Sequence, residues 1–212
     1  FAIFSGARHF WLWNIHSLKT HFTLHPFTID NVNRSQLMEA IPMNQHVKSV
    51  QNSSHLASVF PHIEIQPSEY SSNSLPSINA WAEHLKVSNL RLAITLDVMN
   101  PQWNVQDNYF SALTAFNVIH YSPWALTETL FSHASRYLTK DAKIIFYGPY
   151  KIDGAHTSES NVEFEIWLKD KDETFGVRDI GEVQEAASRH GFTLETLHPM
   201  PANNFMPVFC RS

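Results

Sequence analysis

From residue 56 onward, strand-like and helix-like segments alternate, and one strand, AKIIFYGPY (142–150), is almost continuously apolar. A strand with one wet face alternates apolar and polar residues. One that is apolar throughout is covered on both faces, as when helices flank a parallel sheet. The expected class is therefore α/β, an open and mostly parallel sheet.

The segments around that strand support the reading. A helix-like run over 55–60 leads into a short β-branched strand over 63–66. NSLPSINAWAEHLK (73–86) carries a cap residue, Ser74, with Pro76 in the first turn. Its Leu75, Ile78, Trp81, Ala82 and Leu85 fall on one helical face. Strands are expected over 90–98 and within 108–120. A helix then starts at Ser122-Pro123, with Trp124, Leu130, Phe131, Ala134, Tyr137 and Leu138 inward. NVEFEIWLKDKD (161–172) reads as a helix. The next opens on a capping box, Asp179 and Glu182, and closes at His190-Gly191. FTLETLHPM (192–200) and FMPVFCR (205–211) are strands joined by residues 201–204. That link is too short for a crossover, so the pair is antiparallel.

Glycine divides the chain. None occurs between Gly6 and Gly148, and residues 51–54, just before the first helix of the pattern, are Gln, Asn, Ser and Ser. Residues 1–54 are rich in His and aromatics with little sustained periodicity; only NRSQLMEAI (33–41) reads as a turn or two of helix. They form an atypical segment preceding the α/β domain of 55–212. The chain begins with Phe1 rather than methionine, as a fragment or an incomplete gene model would.

With 212 residues and 43% hydrophobic content, one well-buried domain is expected. A net charge of −5 without a basic block disfavours nucleic acid and anionic membrane as partners. No apolar run approaches a bilayer span. A single cysteine, Cys210, excludes an internal disulfide and fits the cytosol. His9, His16, His21 and His25 invite a metal reading, but Thr23 and Pro26 break the helix that His21 and His25 would need. No carboxylate or cysteine completes the set, and no metal is expected.

PHIEIQPSEY, SINAWAEHLKVSNL, NVIHYSPWALTETLF, YGPYKIDGAHTSESNVEFE, GVRDIGEVQEAASRHGF and MPANN occur in this order. Over 55–212 the chain thereby resembles the methyltransferase-like 26 family. The resemblance implies a class I, Rossmann-like methyltransferase fold and S-adenosylmethionine as cofactor, with an unidentified small molecule or protein as methyl acceptor. Members of that family carry a strand ending in an acid and a glycine-containing loop before the equivalent of His55. This chain reaches NSSH without either, so its first strand and loop are degenerate and cofactor binding is weakened. A non-catalytic scaffold built on the same fold is the alternative. A mis-assembled N-terminus is a third explanation.

The resemblance and the order of elements assign candidate residues. Glu69, after the second strand, would bind the cofactor ribose, with an ordinary solvated loop acid as the alternative. Asp97 and Val98 would contact the adenine, with a turn role for Asp97 as the alternative. Asn117 would contact the cofactor, and His120 would take a proton as catalytic residue or simply hydrogen-bond the next helix. Tyr121, Trp124, Asn203 and Asn204 would line an acceptor pocket, or pack and shape the hairpin. His156, Asn161, Arg178 and Asp179 lie in the same signature loops. Tyr147 and Lys151 have a Y-x-x-x-K spacing, but Gly148-Pro149 forbid the helix that such a pair needs.

Overall fold

The computed structural model describes residues 9–14 and 52–211. The chain divides into two compact units, Phe1–Leu96 and Asp97–Ser212.

In the first unit, strand β1 (His9–Asn14) pairs antiparallel with β2 (Glu64–Glu69), and β2 pairs parallel with β3 (Ile94–Thr95). Helix α1 (Asn52–Val59) buries Leu56 and Ala57 together with Ser53 and Ser54. Its end is tied down by one side chain: the Asn89 amide donates to the carbonyls of Ala57, Phe60 and Ile63 at 3.0, 2.9 and 2.7 Å. Helix α2 (Leu75–Leu85) has Pro76 in its first turn, as the sequence indicates, but the Ser74 hydroxyl makes no cap bond. The expected apolar face is weaker than its pattern. Ile78 is buried, while Leu85 is exposed.

Two strands differ from expectation. β2 runs on through Pro67 to Glu69, so Glu69 is its last residue and not a loop residue. The strand expected over 90–98 shrinks to Ile94–Thr95, with an isolated bridge from Leu90 to Ile65. The HFWLWN segment of β1 is a strand within the stretch that had no clear periodicity. The remaining readings within residues 15–51, including the turn of helix over 33–41 and His16, His21 and His25, lie outside the described residues.

The second unit holds a four-stranded sheet in the order β4 (Phe110–Phe116), β5 (Leu138–Tyr147), β10 (Asn204–Arg211), β9 (Phe192–Met200). β4 and β5 are parallel, whereas β10 runs antiparallel to both β5 and β9, which is the expected terminal hairpin. A smaller sheet has the order β7 (Ala155–His156), β6 (Tyr150–Ile152), β8 (Arg178–Asp179). The apolar run of 142–150 is therefore split. Gly148-Pro149 end β5 at Tyr147, because proline offers no ladder donor, and Tyr150 opens β6.

Helices α3 (Trp124–Tyr137), α4 (Glu159–Lys171) and α5 (Ile180–Arg189) complete this unit. Phe131 of α3 packs on Phe146, Phe192 and Phe209 with ring centroids 5.6, 6.0 and 5.4 Å apart, a core that joins helix to three strands. Pro123, not Ser122, is the cap of α3; the buried Ser122 hydroxyl donates instead to the Val118 carbonyl at 2.7 Å. Asp179 does cap α5, accepting from the Gly181 amide, and Gly191 leaves its far end at φ +78°.

Candidate functional site

The chain turns sharply where β4 ends. Asn117 adopts φ +58°, a left-handed conformation that asparagine tolerates better than other non-glycine residues. Its N–H donates to the Tyr147 carbonyl at 2.8 Å, and its own carbonyl accepts from the amides of His120 and Tyr121 at 3.2 and 3.1 Å. The turn projects His120 into the protein, where it has no solvent exposure.

A distant loop then closes over His120. The Arg178 backbone N–H donates to His120 Nδ1 at 3.3 Å, and the Gly176 N–H donates to the His120 carbonyl at 3.0 Å. The Arg178 guanidinium fastens the same turn: it donates to the carbonyls of Ile119 at 3.0 Å, Thr174 at 2.9 Å and Ser122. It also stands over the Trp124 ring at 5.7 Å. Burial, assisted by the positive charge of Arg178 and opposed by a backbone hydrogen bond at Gly176, lowers the His120 pKa to about 3. The imidazole is therefore neutral at physiological pH. An Nδ1 that accepts from Arg178 leaves the ring proton on Nε2.

Gly148 stands against that Nε2. A Cβ built on Gly148 would lie 2.5 Å from His120 Nε2 and 2.8 Å from Asn117 Oδ1. The backbone cannot easily retreat, because Gly148 and Phe205 exchange N–H···O bonds of 3.1 and 2.7 Å. The Tyr150 ring meets the imidazole edge-to-face at 4.9 Å, and burial raises its hydroxyl pKa. Asn117 Oδ1, His120 Nε2 and Tyr150 Oη are all buried without a hydrogen-bond partner. Gly148 and Tyr150 are the members of this cluster to which the sequence reading gave no role; the Gly176–Arg178 loop belongs to the GVRD stretch that carried the family resemblance. The Gly148 signal was available: it is the first glycine after a gap running from Gly6, and a lone glycine at a strand end marks close approach of another group.

The other candidate residues take varied places. Tyr121 packs on Phe175 and Trp167, at 5.0 and 5.7 Å, in an apolar cluster with Leu168 and Val177. Asn203, at φ +58°, forms the β9–β10 turn with Ala202. Its carbonyl accepts from the Asn161 side chain at 3.0 Å and its amide donates to Ser160 Oγ at 3.3 Å, so the turn is moored to the start of α4. The Asn204 amide donates to the Pro201 carbonyl at 3.2 Å. His156, Lys151 and Lys169 all meet Glu165, at 2.5, 2.9 and 3.2 Å, and the Glu165 pKa is lowered by the hydrogen bonds and charges of the two lysines, against a larger opposing effect of burial. Lys151 is thus engaged with an acid and shares no helix with Tyr147. Asp97 Oδ1 accepts from the Met99 amide at 2.9 Å, an Asx turn, and the carbonyl of buried Val98 accepts from the Trp103 indole at 3.4 Å.

In the first unit, Glu69 is buried, and its Oε1 accepts from the Tyr70 amide at 2.8 Å. It ends a strand paired in parallel with β3, and carboxyl ends of such strands are where open α/β sheets bind ligands. The hydroxyls of Ser53 and Ser54, in the first turn of α1, are buried without partners. These groups suit the polar edge of a nucleoside: an acid for a diol and hydroxyls beside a helix start. What is lacking is the glycine turn. β1 does not supply its equivalent, because it is His9, the first residue of β1 and not the last, that pairs with Glu69.

Among the described residues there is no group of three His, Cys, Asp or Glu side chains able to hold a metal, and no helix long and apolar enough to cross a membrane.

The alternating order of elements, the parallel strand pairs and the antiparallel terminal hairpin define a class I methyltransferase fold, Rossmann-like in kind. The chain resembles the mitomycin 7-O-methyltransferase MmcR, with TM-score 0.64 and 10% identity over 75% of this chain and 45% of that one. It also resembles a putative methyltransferase from Bacillus halodurans, with TM-score 0.53 and 19% identity over 69% and 61%. A third is CalO1, a methyltransferase of calicheamicin biosynthesis in its SAH-bound form, with TM-score 0.50 and 8% identity over 60% and 36%. The chain spans less than two thirds of each of these proteins. Residues 28–211 match the family described as "Protein of unknown function (DUF938)", and the chain belongs to that family. The match begins well before residue 55, where the sequence resemblance was first legible.

Proposed function

We propose that the chain is an S-adenosylmethionine-dependent methyltransferase acting on a small molecule or a protein, within the methyltransferase-like 26 group. The observation that carries this reading is Glu69, a buried acid ending a parallel-paired strand in a methyltransferase fold. When bound, the cofactor supplies an electrophilic methyl group. Glu69 would accept hydrogen bonds from its ribose hydroxyls, and Asp97, Val98 and Asn117 would contact the rest of it. His120 stays neutral, so it would orient an acceptor by donating a hydrogen bond and would not take its proton. Methyl transfer from a sulfonium needs chiefly alignment of donor and acceptor. Tyr121, Trp124, Asn203 and Asn204 would act as packing and rim around the acceptor. The lone Cys210 and the acidic net charge agree with a cytosolic protein that does not bind nucleic acid.

A scaffold that has lost the cofactor is the second reading. Ser53 and Ser54 in place of glycines and the reversed direction of β1 favour it. Titration with S-adenosylmethionine and S-adenosylhomocysteine separates the two. At a hundredfold excess over the dissociation constant, binding adds about 2.7 kcal/mol of stability. Thermal unfolding should show that gain, and Glu69→Ala should remove it. No gain at millimolar ligand rejects the methyltransferase reading.

A further inference from the structure

We propose that the outer face of helix α4 docks a second copy of this chain. The two helices pair antiparallel about a two-fold axis, Val162 of each against Ile166 of the other, and Glu159 of each against Lys169 of the other. Such pairing is independent of the methyltransferase reading.

α4 carries apolar side chains on both its sides. The inner side is engaged: Leu168 is buried with Phe175 and Val177, and Phe164 and Trp167 pack against that cluster. Asn161 reaches the Asn203 carbonyl, and Glu165 holds Lys151 and His156, so the helix is firmly seated. Val162 and Ile166 stand on the other side, 39% and 65% exposed. Single exposed apolar residues are ordinary; the spacing here is what informs. Glu159, Val162, Ile166 and Lys169 are all exposed and occur at i, i+3, i+7 and i+10, the seam spacing of paired helices. At about 3.6 residues per turn they fall within about 40° of the direction opposite Phe164, in a stripe about 15 Å long.

The order of the four side chains selects the occupant. Along α4 it reads acid, apolar, apolar, base, with spacing symmetric about Phe164. An antiparallel copy presents base, apolar, apolar, acid in the same register. Every apolar residue then meets an apolar one, and every acid meets a base, twice over. A parallel copy would set Glu159 on Glu159 and Lys169 on Lys169, which repel. Lys169 bridges to Glu165 at 3.2 Å in the single chain, with its side chain 56% exposed. It can turn outward because Glu165 keeps Lys151 and His156. A partner of another kind could cover the apolar pair, but only this helix matches itself in both charge and register. One helix face per copy is less than the roughly 1,200 Å² of stable interfaces, so the dissociation constant is on the order of 100 μM.

Sedimentation equilibrium of the full chain, taken up to about 1 mM, measures the association. The expected result is a monomer–dimer equilibrium that weakens as salt rises. Ile166→Glu puts two carboxylates into the seam and should weaken the dimer at least about tenfold. Glu159→Lys and Lys169→Glu each make both cross pairs repulsive, and each alone should weaken it about tenfold. An equimolar mixture of these two variants should recover the parent affinity, since each supplies the charge that the other lacks. All three positions are exposed, so unfolding temperatures should stay close to that of the parent chain. Recovery in the mixture also cannot come from misfolded chains. A dimer unmoved by Ile166→Glu, charge reversals that do not weaken it, or a mixture no tighter than its components would each overturn the proposal. A chain that stays monomeric at about 1 mM would overturn it too, leaving the stripe to a partner of another kind.

Discussion

Two places in this chain bury polar groups beside backbone that turns from one element to the next, and they do so differently. At the end of β5 the chain keeps Gly148, and any side chain there would collide with His120 and Asn117. At the start of α1 it has Asn52, Ser53 and Ser54, with the two serine hydroxyls buried and unpartnered. The first place is over-determined: a pinned backbone, a ring locked by a loop 58 residues away and a neighbour in a left-handed conformation. The second has no comparable set of constraints among the described residues. The difference teaches that packing and backbone hydrogen bonds fix the turn around His120, whereas the start of α1 buries polar groups with no such support among the described residues.

The largest expected effect breaks the first place directly. Gly148→Ala puts a methyl 2.5 Å from His120 Nε2 with the backbone held on both sides by Phe205. Overpacking of this kind destabilises by about 3 kcal/mol. Urea unfolding at neutral pH measures it. A change under about 0.5 kcal/mol would mean that His120 swings away freely and that the cluster is not rigid.

The next effect concerns the same imidazole through pH. His120 is neutral in the folded protein down to about pH 3, whereas in the unfolded chain it titrates at the ordinary histidine value of 6.5. Below pH 6.5 the unfolded state therefore binds a proton that the folded state does not, and stability falls as pH drops from 6.5 toward 3. Above pH 6.5 the contribution is fully present. Between pH 7 and pH 5 the loss amounts to about 2 kcal/mol. Unfolding of the parent chain and of His120→Gln at both values isolates it, since the variant should lack this share of the pH dependence. An identical dependence in the two proteins would show that His120 is protonated in place.

These contrasts also mark what the sequence discloses. Asp179 before an amphipathic run, Gly191 after it, and two apolar runs with a four-residue link all carry local signals, and each element formed where its signal stood. Helix α3 is also where its pattern placed it, although the cap shifted by one residue because the Ser122 hydroxyl turned back to Val118. β1 had no comparable signal: its HFWLWN residues have no alternation, and it is a strand by pairing with β2. β3 was overestimated because LRLAITLDV has strand propensity throughout, yet its contact with β2 is a lone bridge at Leu90 and the two-residue strand Ile94–Thr95. At the site, Asn117 and His120 were legible from their position after an apolar strand. The loop that closes on them, Gly176 to Arg178, was legible as part of the GVRD stretch, but its contact with His120 across 58 residues was not, since no local pattern encodes it.

The smallest effect on stability gives the sharpest division between the two readings of α1. Ser53→Ala and Ser54→Ala each remove a buried hydroxyl that has no protein partner. A hydroxyl that bonds nothing in the folded state gains nothing from being kept, so each variant should hold stability within about 0.5 kcal/mol of the parent, or gain slightly. If the α1 turn receives the cofactor, the same variants should weaken S-adenosylhomocysteine by about fivefold, the share of one hydrogen bond. Calorimetric titration beside urea unfolding separates binding from folding. Weaker binding at unchanged stability would assign the serines to the cofactor, standing where glycines stand in related folds. Unchanged binding, with the parent chain binding well, would move the cofactor away from α1 and leave Glu69 as its principal contact in the first unit.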